Sequence, residues 1–132
     1  MQTLLMLAKI LWASPWTLVG MFIGLVGLAT GGRAQRTGRV LEFWGGGADV
    51  FLRVFPWVAG AAAVTFGHVV LARNHQVLEA CRAHELVHVR QYERWGLLFV
   101  PAYLFFWAQL WLIGKHPYFD NPFEREAYRE AP

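Results

Sequence analysis

The residues best suited to chemistry lie in the segment 82–91, Arg-Ala-His-Glu-Leu-Val-His-Val-Arg-Gln. His84 and His88 are four positions apart, so on a helix their imidazoles share one face and can reach one ion. Two neutral imidazoles supply half of a tetrahedral zinc site. Glu85 follows the first histidine, within reach of a metal-bound water without being a ligand. This His-Glu-x-x-His arrangement is the one that water activation requires.

Two histidines do not complete a zinc site, so a third protein ligand must come from elsewhere in the chain. On a helix, Glu124 and Glu126 differ by about 200° and only one of them can face the metal. The side chains able to bind a metal are His68, His75, Cys81, His116, Asp120, Glu124 and Glu126.

The segment 84–91 and the segment 121–128, Asn-Pro-Phe-Glu-Arg-Glu-Ala-Tyr, together resemble the gluzincin pattern. The resemblance is closest to the small gluzincin-like domains called domain of unknown function 4157, and the minigluzincins are similar in size. It covers roughly residues 60–130. It implies that Glu124, in preference to Glu126, is the third ligand on a later helix. It also implies that Gln91 and Tyr128 contact the ligands, with Tyr128 standing where the family has Asp. The alternative for Gln91 is a solvated polar side chain on the helix surface.

The resemblance implies a zinc metallopeptidase. A Zn²⁺ ion held by His84, His88 and Glu124 would keep a fourth position for water and lower the pKa of that water towards ~7. Glu85 would take its proton and pass it to the leaving amine. The expected donors to the oxyanion are His116, Tyr118 and Tyr128.

Related metalloproteases pair a strand beside the site with the extended backbone of the substrate, by strand addition. Residues 65–71 are the corresponding segment in this chain. The expected substrate-strand residues are therefore Thr65, Gly67 and His68.

The composition predicts a membrane segment: 56% of the 132 residues are hydrophobic and 16% are charged, where an ordinary domain has about a quarter charged. Residues 10–32 carry no charge, and about 20 apolar residues span a bilayer as a helix. The charge-poor start and the length favour an uncleaved anchor over a signal peptide. Arg33, Arg36 and Arg39 follow this run and Lys9 precedes it, which places the rest of the chain in the cytoplasm.

Gly20 and Gly24 within this run form a Gly-x-x-x-Gly motif, which can pack two helices closely. Because the motif is short, we interpret the glycines as incidental in a lipid-facing helix. No basic cluster with interleaved aromatic residues indicates nucleic-acid binding. The single cysteine, Cys81, excludes an internal disulfide. The expected partners are a peptide or protein substrate and membrane lipid, and the oligomeric state is open.

The fold class expected is α+β: an anchor at 1–32 with a transmembrane helix starting near Trp16, then a minimal zincin-like domain at 33–132. Strands are predicted at 39–44 and 61–72, the second interrupted at Gly67, and 50–57 is either strand or helix. The helices predicted are the site helix 75–95 between Asn74 and Gly96, an apolar helix 101–113, and a last helix 122–130 capped by Asp120 or Asn121. The uncharged stretches 54–72 and 96–114 are alternative membrane helices. An inactive zinc-binding membrane or interaction module is the alternative function.

Overall fold

A computed structural model of the chain describes residues 1–55 and 61–132. The α+β class is confirmed. The helices are α1 (Gln2–Ala29), α2 (Gly46–Val54), α3 (His75–Trp95), α4 (Phe99–Leu112) and α5 (Pro122–Glu130), with a short 3₁₀ turn at Gly96–Leu98 between α3 and α4. The strands are β1 (Arg33–Thr37), β2 (Val40–Trp44), β3 (Ala63–Phe66) and β4 (Val69–Ala72).

The described strands form one sheet in the order β1-β2-β4-β3. β1 with β2 and β3 with β4 are antiparallel pairs, whereas β2 and β4 run parallel. Alternate residues point to opposite faces of a strand. Val70 faces α3 and packs with its residues Leu78 and Val89. Val69 and its neighbour Phe43 face the other way, towards α1 and α2. The sheet is thus the middle layer of three.

α1 packs on this sheet through a row of small residues. Ala13, Gly20, Gly24 and Gly27 are its buried positions. A Cβ at Gly20 would lie 2.8 Å from the Cβ of Phe66, and one at Gly24 would lie 2.5 Å from the ring of Phe43. The interpretation of these glycines as incidental and lipid-facing is therefore wrong. They allow the helix backbone to approach the sheet closely, and any larger side chain would prevent this approach.

α1 also begins earlier than expected, at Gln2 rather than near Trp16. Residues 4–8, Leu-Leu-Met-Leu-Ala, are strong helix formers, and they extend the helix ahead of the charge-free run. Pro15 lies inside it, where its missing N–H removes one backbone hydrogen bond. The expected boundary between anchor and domain, at residue 32, falls just before β1. α1 nevertheless packs on the sheet that follows this boundary.

The segment 61–72 was expected to be one interrupted strand and is instead a hairpin, β3 and β4. Gly67 has a φ of 61° and lies in the two-residue turn, where a positive φ suits glycine. The alternative prediction of a membrane helix over 54–72 is therefore wrong for the described residues of that segment. Residues 56–60 lie outside the described residues. The ambiguous segment 50–57 is helical as far as Val54. β1 was missed because Arg-Ala-Gln-Arg-Thr has no apolar alternation.

The ends of the site-bearing helices are as the sequence predicts. The side chain of Asn74 accepts a hydrogen bond from the N–H of Val77, 2.8 Å away, and α3 ends at Gly96 with a φ of 56°. Asn121 caps α5, with Pro122 in its first turn. α4 starts two residues before Pro101, which is tolerated because the first-turn N–H groups have no partner within a helix.

Among the described residues, two helical stretches, Gln2–Ala29 and His75–Leu112, are long and apolar enough to cross a membrane. An 18-residue window has a mean hydropathy of 1.6 in the first stretch and 1.4 in the second. In the second, the uncharged part begins at Gly96, so it comprises α4 and the turn before it.

Gly24→Leu is expected to lower the free energy of unfolding by about 1–3 kcal/mol or more, because its side chain would overlap the ring of Phe43. Leu25→Ala, one residue along on an exposed surface, is the matched control and should be nearly neutral. Thermal unfolding of the detergent-solubilised variants measures the difference. Equal melting temperatures for the two would show that α1 does not dock on the sheet.

Candidate metal centre

Helices α3 and α5 hold the three side chains that meet at the site. His84 and His88 lie one turn apart on α3, and Glu124 lies in the first turn of α5. The start of α5 is fixed by Asn121, which is fully buried. Its side-chain oxygen accepts from the N–H of Phe123 at 3.1 Å, and its amide donates to the carbonyl of Tyr103 at 3.3 Å. The capping residue thereby sets the position of Glu124.

The three ligand atoms lie close enough to surround one ion. Oε1 of Glu124 is 3.0 Å from Nε2 of His84 and 3.0 Å from Nε2 of His88, and the two Nε2 atoms are 3.2 Å apart. Zinc ligands about 2.0–2.2 Å from the metal lie roughly 3.3 Å from one another in a tetrahedral site. The group of His84, His88 and Glu124 could therefore hold a metal ion.

Gln91 orients one of these ligands and links the two helices. Its side-chain oxygen accepts a hydrogen bond from Nδ1 of His88 at 2.8 Å, which directs the lone pair of Nε2 to the site. Its amide nitrogen donates to the carbonyl of Phe123 at 2.9 Å and to Glu126 at 2.7 Å. Glu126 also pairs with Arg94. The structure thus places Gln91 beside His88 and places Glu126 outside the His84–His88–Glu124 group.

Tyr103 on α4 holds the second oxygen of the Glu124 carboxylate and was missed by sequence reasoning. Its hydroxyl donates to Oε2 of Glu124 at 2.9 Å, while Oε1 faces the histidines. The only available signal was a phenol in an apolar helix, since a buried Tyr hydroxyl usually finds a partner. With this contact, α4 becomes the third helix that positions the site.

The charges of the centre are strongly coupled. Burial alone would raise the pKa of Glu124, but hydrogen bonds with His84 and His88 outweigh it and lower the pKa to about 2. Burial alone would lower the pKa of His88, but the Glu124 carboxylate reverses this and raises the pKa to about 9. In the metal-free protein at neutral pH, Glu124 is therefore ionised and His88 carries a proton that an incoming cation must displace.

The side chain of Glu85 is held by the edge strand β3. The hydroxyl of Thr65 donates to Oε2 of Glu85 at 2.6 Å, and both residues are buried. The carbonyl of Thr65 accepts from the hydroxyl of Tyr92 at 3.1 Å. Of the three expected substrate-strand residues, Thr65 is therefore the one in contact with Glu85.

Gly67 and His68 lie at the turn of this hairpin and contact α1 instead. A Cβ at Gly67 would meet Thr17 at 2.1 Å, and the backbone N–H of His68 donates to the Thr17 hydroxyl at 3.0 Å. The His68 side chain is buried and bonds to Glu93 at 2.8 Å. These contacts connect the turn to α1 and to the structural ion pair between Glu93 and Arg39.

Two tyrosines lie next to the metal ligands. The ring of Tyr128 packs edge-on against His84, with centroids 4.6 Å apart, and its hydroxyl is 3.1 Å from that of Tyr118. Burial and the charge of Glu124 raise the pKa of Tyr118, so its phenol stays protonated and able to donate. Nδ1 of His116, the third expected oxyanion donor, accepts from the backbone N–H groups of Tyr118 and Phe119 within its own loop.

The other residues considered as ligands make different contacts. His75 pairs with Glu79 at 3.2 Å, and Asp120 accepts from the backbone N–H of His116 at 2.9 Å. Cys81 is a half-buried free thiol. Within residues 1–55 and 61–132, these side chains are not part of the His84–His88–Glu124 group.

Comparison of the chain with protein-family models, with curated proteins and with solved structures found no match.

Glu124→Gln is expected to weaken zinc binding by more than ~100-fold, because removing a metal ligand lowers the affinity more than removing a residue that only hydrogen-bonds to a ligand. Glu126→Gln makes the same chemical change two residues away and should bind zinc as the unchanged protein does. Metal content after gel filtration and competition with a chromogenic chelator measure both variants. Loss of zinc in the Glu126 variant alone would reverse the assignment.

The stability of the metal-free protein should pass through a maximum because of the ion pair between His88 and Glu124. The stabilisation by this pair is complete between about pH 4.5 and 6.5. It falls as pH rises through the His88 pKa of about 9, and it falls as pH drops through the Glu124 pKa of about 2. Zinc affinity should instead rise with pH, by up to about tenfold per unit below pH ~9, because a proton is displaced. Thermal unfolding with and without a chelator separates the two trends. A pH-independent zinc affinity would contradict this proton displacement.

Proposed function

We propose that this chain is a membrane-attached zinc metallopeptidase of gluzincin type. The observation that carries the proposal is the position of Oε1 of Glu124, 3.0 Å from Nε2 of both His84 and His88, with Glu85 adjacent to His84 on the same helix. Two imidazoles and one carboxylate are the ligand set of catalytic zinc sites that keep a fourth position for water. Fe(II) sites use the same ligand types, and zinc is proposed here because of the His-Glu-x-x-His spacing, which places Glu85 beside the ligand His84.

Several residues of this chain have separate roles in the proposed hydrolysis of a peptide bond. Zinc in this site would activate a water molecule and polarise the carbonyl of a peptide bond. Glu85 accepts the proton of that water and delivers it to the leaving amine. Because Thr65 holds Oε2 of Glu85, Oε1 is the atom assigned to this transfer. Tyr118 or Tyr128 donates a hydrogen bond to the oxyanion.

The proposed substrate is an extended peptide or protein segment that lies along β3. In the described sheet, β3 pairs with β4 on one side only, and an edge strand offers backbone groups for strand addition. Thr65 bonds to Glu85, so a segment paired with β3 would pass beside the proton acceptor.

We place the protein at a membrane, with its catalytic residues on the cytoplasmic side. Two apolar helical stretches of sufficient length support the membrane location. The three arginines in residues 33–39 support the orientation, because basic residues beside an apolar segment are attracted to the anionic cytoplasmic leaflet.

A zinc-binding membrane or interaction module without turnover is the second candidate. The feature that favours it is Tyr128, whose ring lies against the His84 ligand and whose hydroxyl is bonded to Tyr118. An aromatic side chain in this position restricts access to the ligands. In such a module, zinc would stabilise the junction of α3 with α5.

Glu85→Gln is expected to lower kcat for peptide hydrolysis by about 10²–10⁴, because the amide cannot accept the proton. The variant should retain zinc, since Glu85 is not a ligand. The assay compares the zinc-loaded proteins in detergent or vesicles on an unfolded protein substrate and on quenched fluorescent peptides. His84→Ala is the companion variant and should lose both zinc and hydrolysis.

The two candidates give different results in this experiment. Hydrolysis that needs both zinc and Glu85 supports the peptidase. Equal behaviour of the Glu85→Gln variant and the unchanged protein, with zinc bound in both, supports the non-catalytic module. Absence of bound zinc from the purified protein after metal reconstitution would overturn both.

A further inference from the structure

We infer that α1 lies along the surface of a bilayer, with its outward face in the lipid and its inward face on the protein, instead of crossing the bilayer. The inference concerns the mode of membrane attachment and does not depend on peptidase activity.

α1 has two opposite faces of different character. Its small residues Ala13, Gly20, Gly24 and Gly27 are buried. With 100° between successive helical residues, the opposite side carries large apolar side chains. These are more than half exposed: Leu4, Leu7, Leu11, Leu18, Phe22 and Leu25. A row of this length is larger than the scattered apolar residues of an ordinary protein surface and marks an interaction surface.

The protein accompanies α1 over residues 12–30. At the beginning of this part, Trp12 lies against Gly96. At its middle, the Thr17 hydroxyl accepts from the N–H of His68 at 3.0 Å. At its end, the Thr30 hydroxyl accepts from the N–H of Gly47 at 2.7 Å. The distance from residue 12 to residue 30 is about 27 Å at 1.5 Å per residue, close to the ~30 Å hydrocarbon thickness.

A perpendicular α1 would therefore carry the sheet and α3 into the hydrocarbon layer. α3 covers the opposite face of the sheet, and its Arg90 and Arg94 side chains are 54% and 57% exposed. Charged side chains inside a bilayer are costly and normally face a protein interior or water-filled cavity. With α1 parallel to the surface, the arginines stay on the aqueous side while the leucine row enters the lipid.

The start of α4 extends the same apolar surface. The indole Nε1 of Trp16 donates to the carbonyl of Leu97 at 2.9 Å, which fixes the turn before α4 beside α1. Leu97 and Leu98 are 46% and 53% exposed at this junction, and Phe105 is exposed about two turns further along. Two helices thus contribute adjoining apolar side chains, as a one-leaflet attachment requires.

Lipid fits this surface better than a second protein does. The outward row from Leu4 to Leu25 contains aliphatic and aromatic side chains, whereas a protein–protein interface carries about one hydrogen bond per 100–200 Å². Arg33 follows the apolar run, and Lys115 follows α4. Basic residues at the margins of an apolar face are complementary to anionic headgroups. The occupant is therefore a bilayer that contains anionic lipid.

Depth measurements on single-cysteine variants test the inference. In a Cys81→Ser background, cysteines at Leu4, Leu11, Leu18 and Leu25 are labelled with an environment-sensitive fluorophore. The full chain is reconstituted in vesicles of phosphatidylcholine and phosphatidylglycerol that carry spin labels near the headgroup or deep in the acyl chain. Arg129→Cys, on an exposed turn of α5, is the water-facing control.

A surface-parallel helix predicts similar quenching at all four positions, stronger from the shallow label than from the deep one, with the control unquenched. A crossing helix predicts strongest deep quenching at Leu11 or Leu18 and shallow quenching at Leu4 and Leu25; this result would overturn the inference. Absence of quenching at all four positions would also overturn it, and a stable dimer without lipid would then assign the face to a second copy.

A double substitution tests binding separately. Leu11→Asp with Leu18→Asp should reduce flotation with these vesicles at least tenfold while the far-ultraviolet circular dichroism is retained. Ala34→Asp, an exposed alanine on β1, introduces a carboxylate outside the row and should float as the unchanged protein does. Unchanged flotation of the double variant would contradict the inference.

Discussion

The buried amide of Gln91 is the interaction on which the centre depends. It is fully buried, and it bonds to His88, to the Phe123 carbonyl and to Glu126. A buried amide left without partners is costly, so these bonds are satisfied together or the junction opens. They fix the position of α5 along α3 and, with it, the position of Glu124 relative to the histidines. The centre is as rigid as this junction.

The local features of the site could be predicted from the sequence, because they depend on helix geometry and capping. The spacing of His84 and His88 on one face and the caps at Asn74 and Asn121 need no knowledge of the remaining fold. Predicting that Glu124 lies beside His88 required the family resemblance, because no local rule relates residues 36 positions apart. The Tyr103 contact arises from tertiary packing of α4, for which an apolar helix gives no specific signal.

The topology around α1 could not be predicted for a different reason. A Gly-x-x-x-Gly motif permits close approach but does not specify whether another helix, lipid or a sheet makes the approach. Only the hairpin of β3 and β4, itself hidden within one apolar segment, shows that Gly20 meets Phe66 and Val69. The same packing brings Thr17 to the hairpin turn, two to three residues from Thr65, which bonds to Glu85. α1 is therefore connected to Glu85 through one short strand.

The glycine row also bears on how the protein can be isolated. Removing residues 1–32 would take away the cover from the sheet face that carries Phe43, Val69 and Leu71, all buried in the intact fold. The remainder would behave as an exposed core and aggregate. A detergent that coats the leucine row without separating α1 from the sheet would leave these side chains covered.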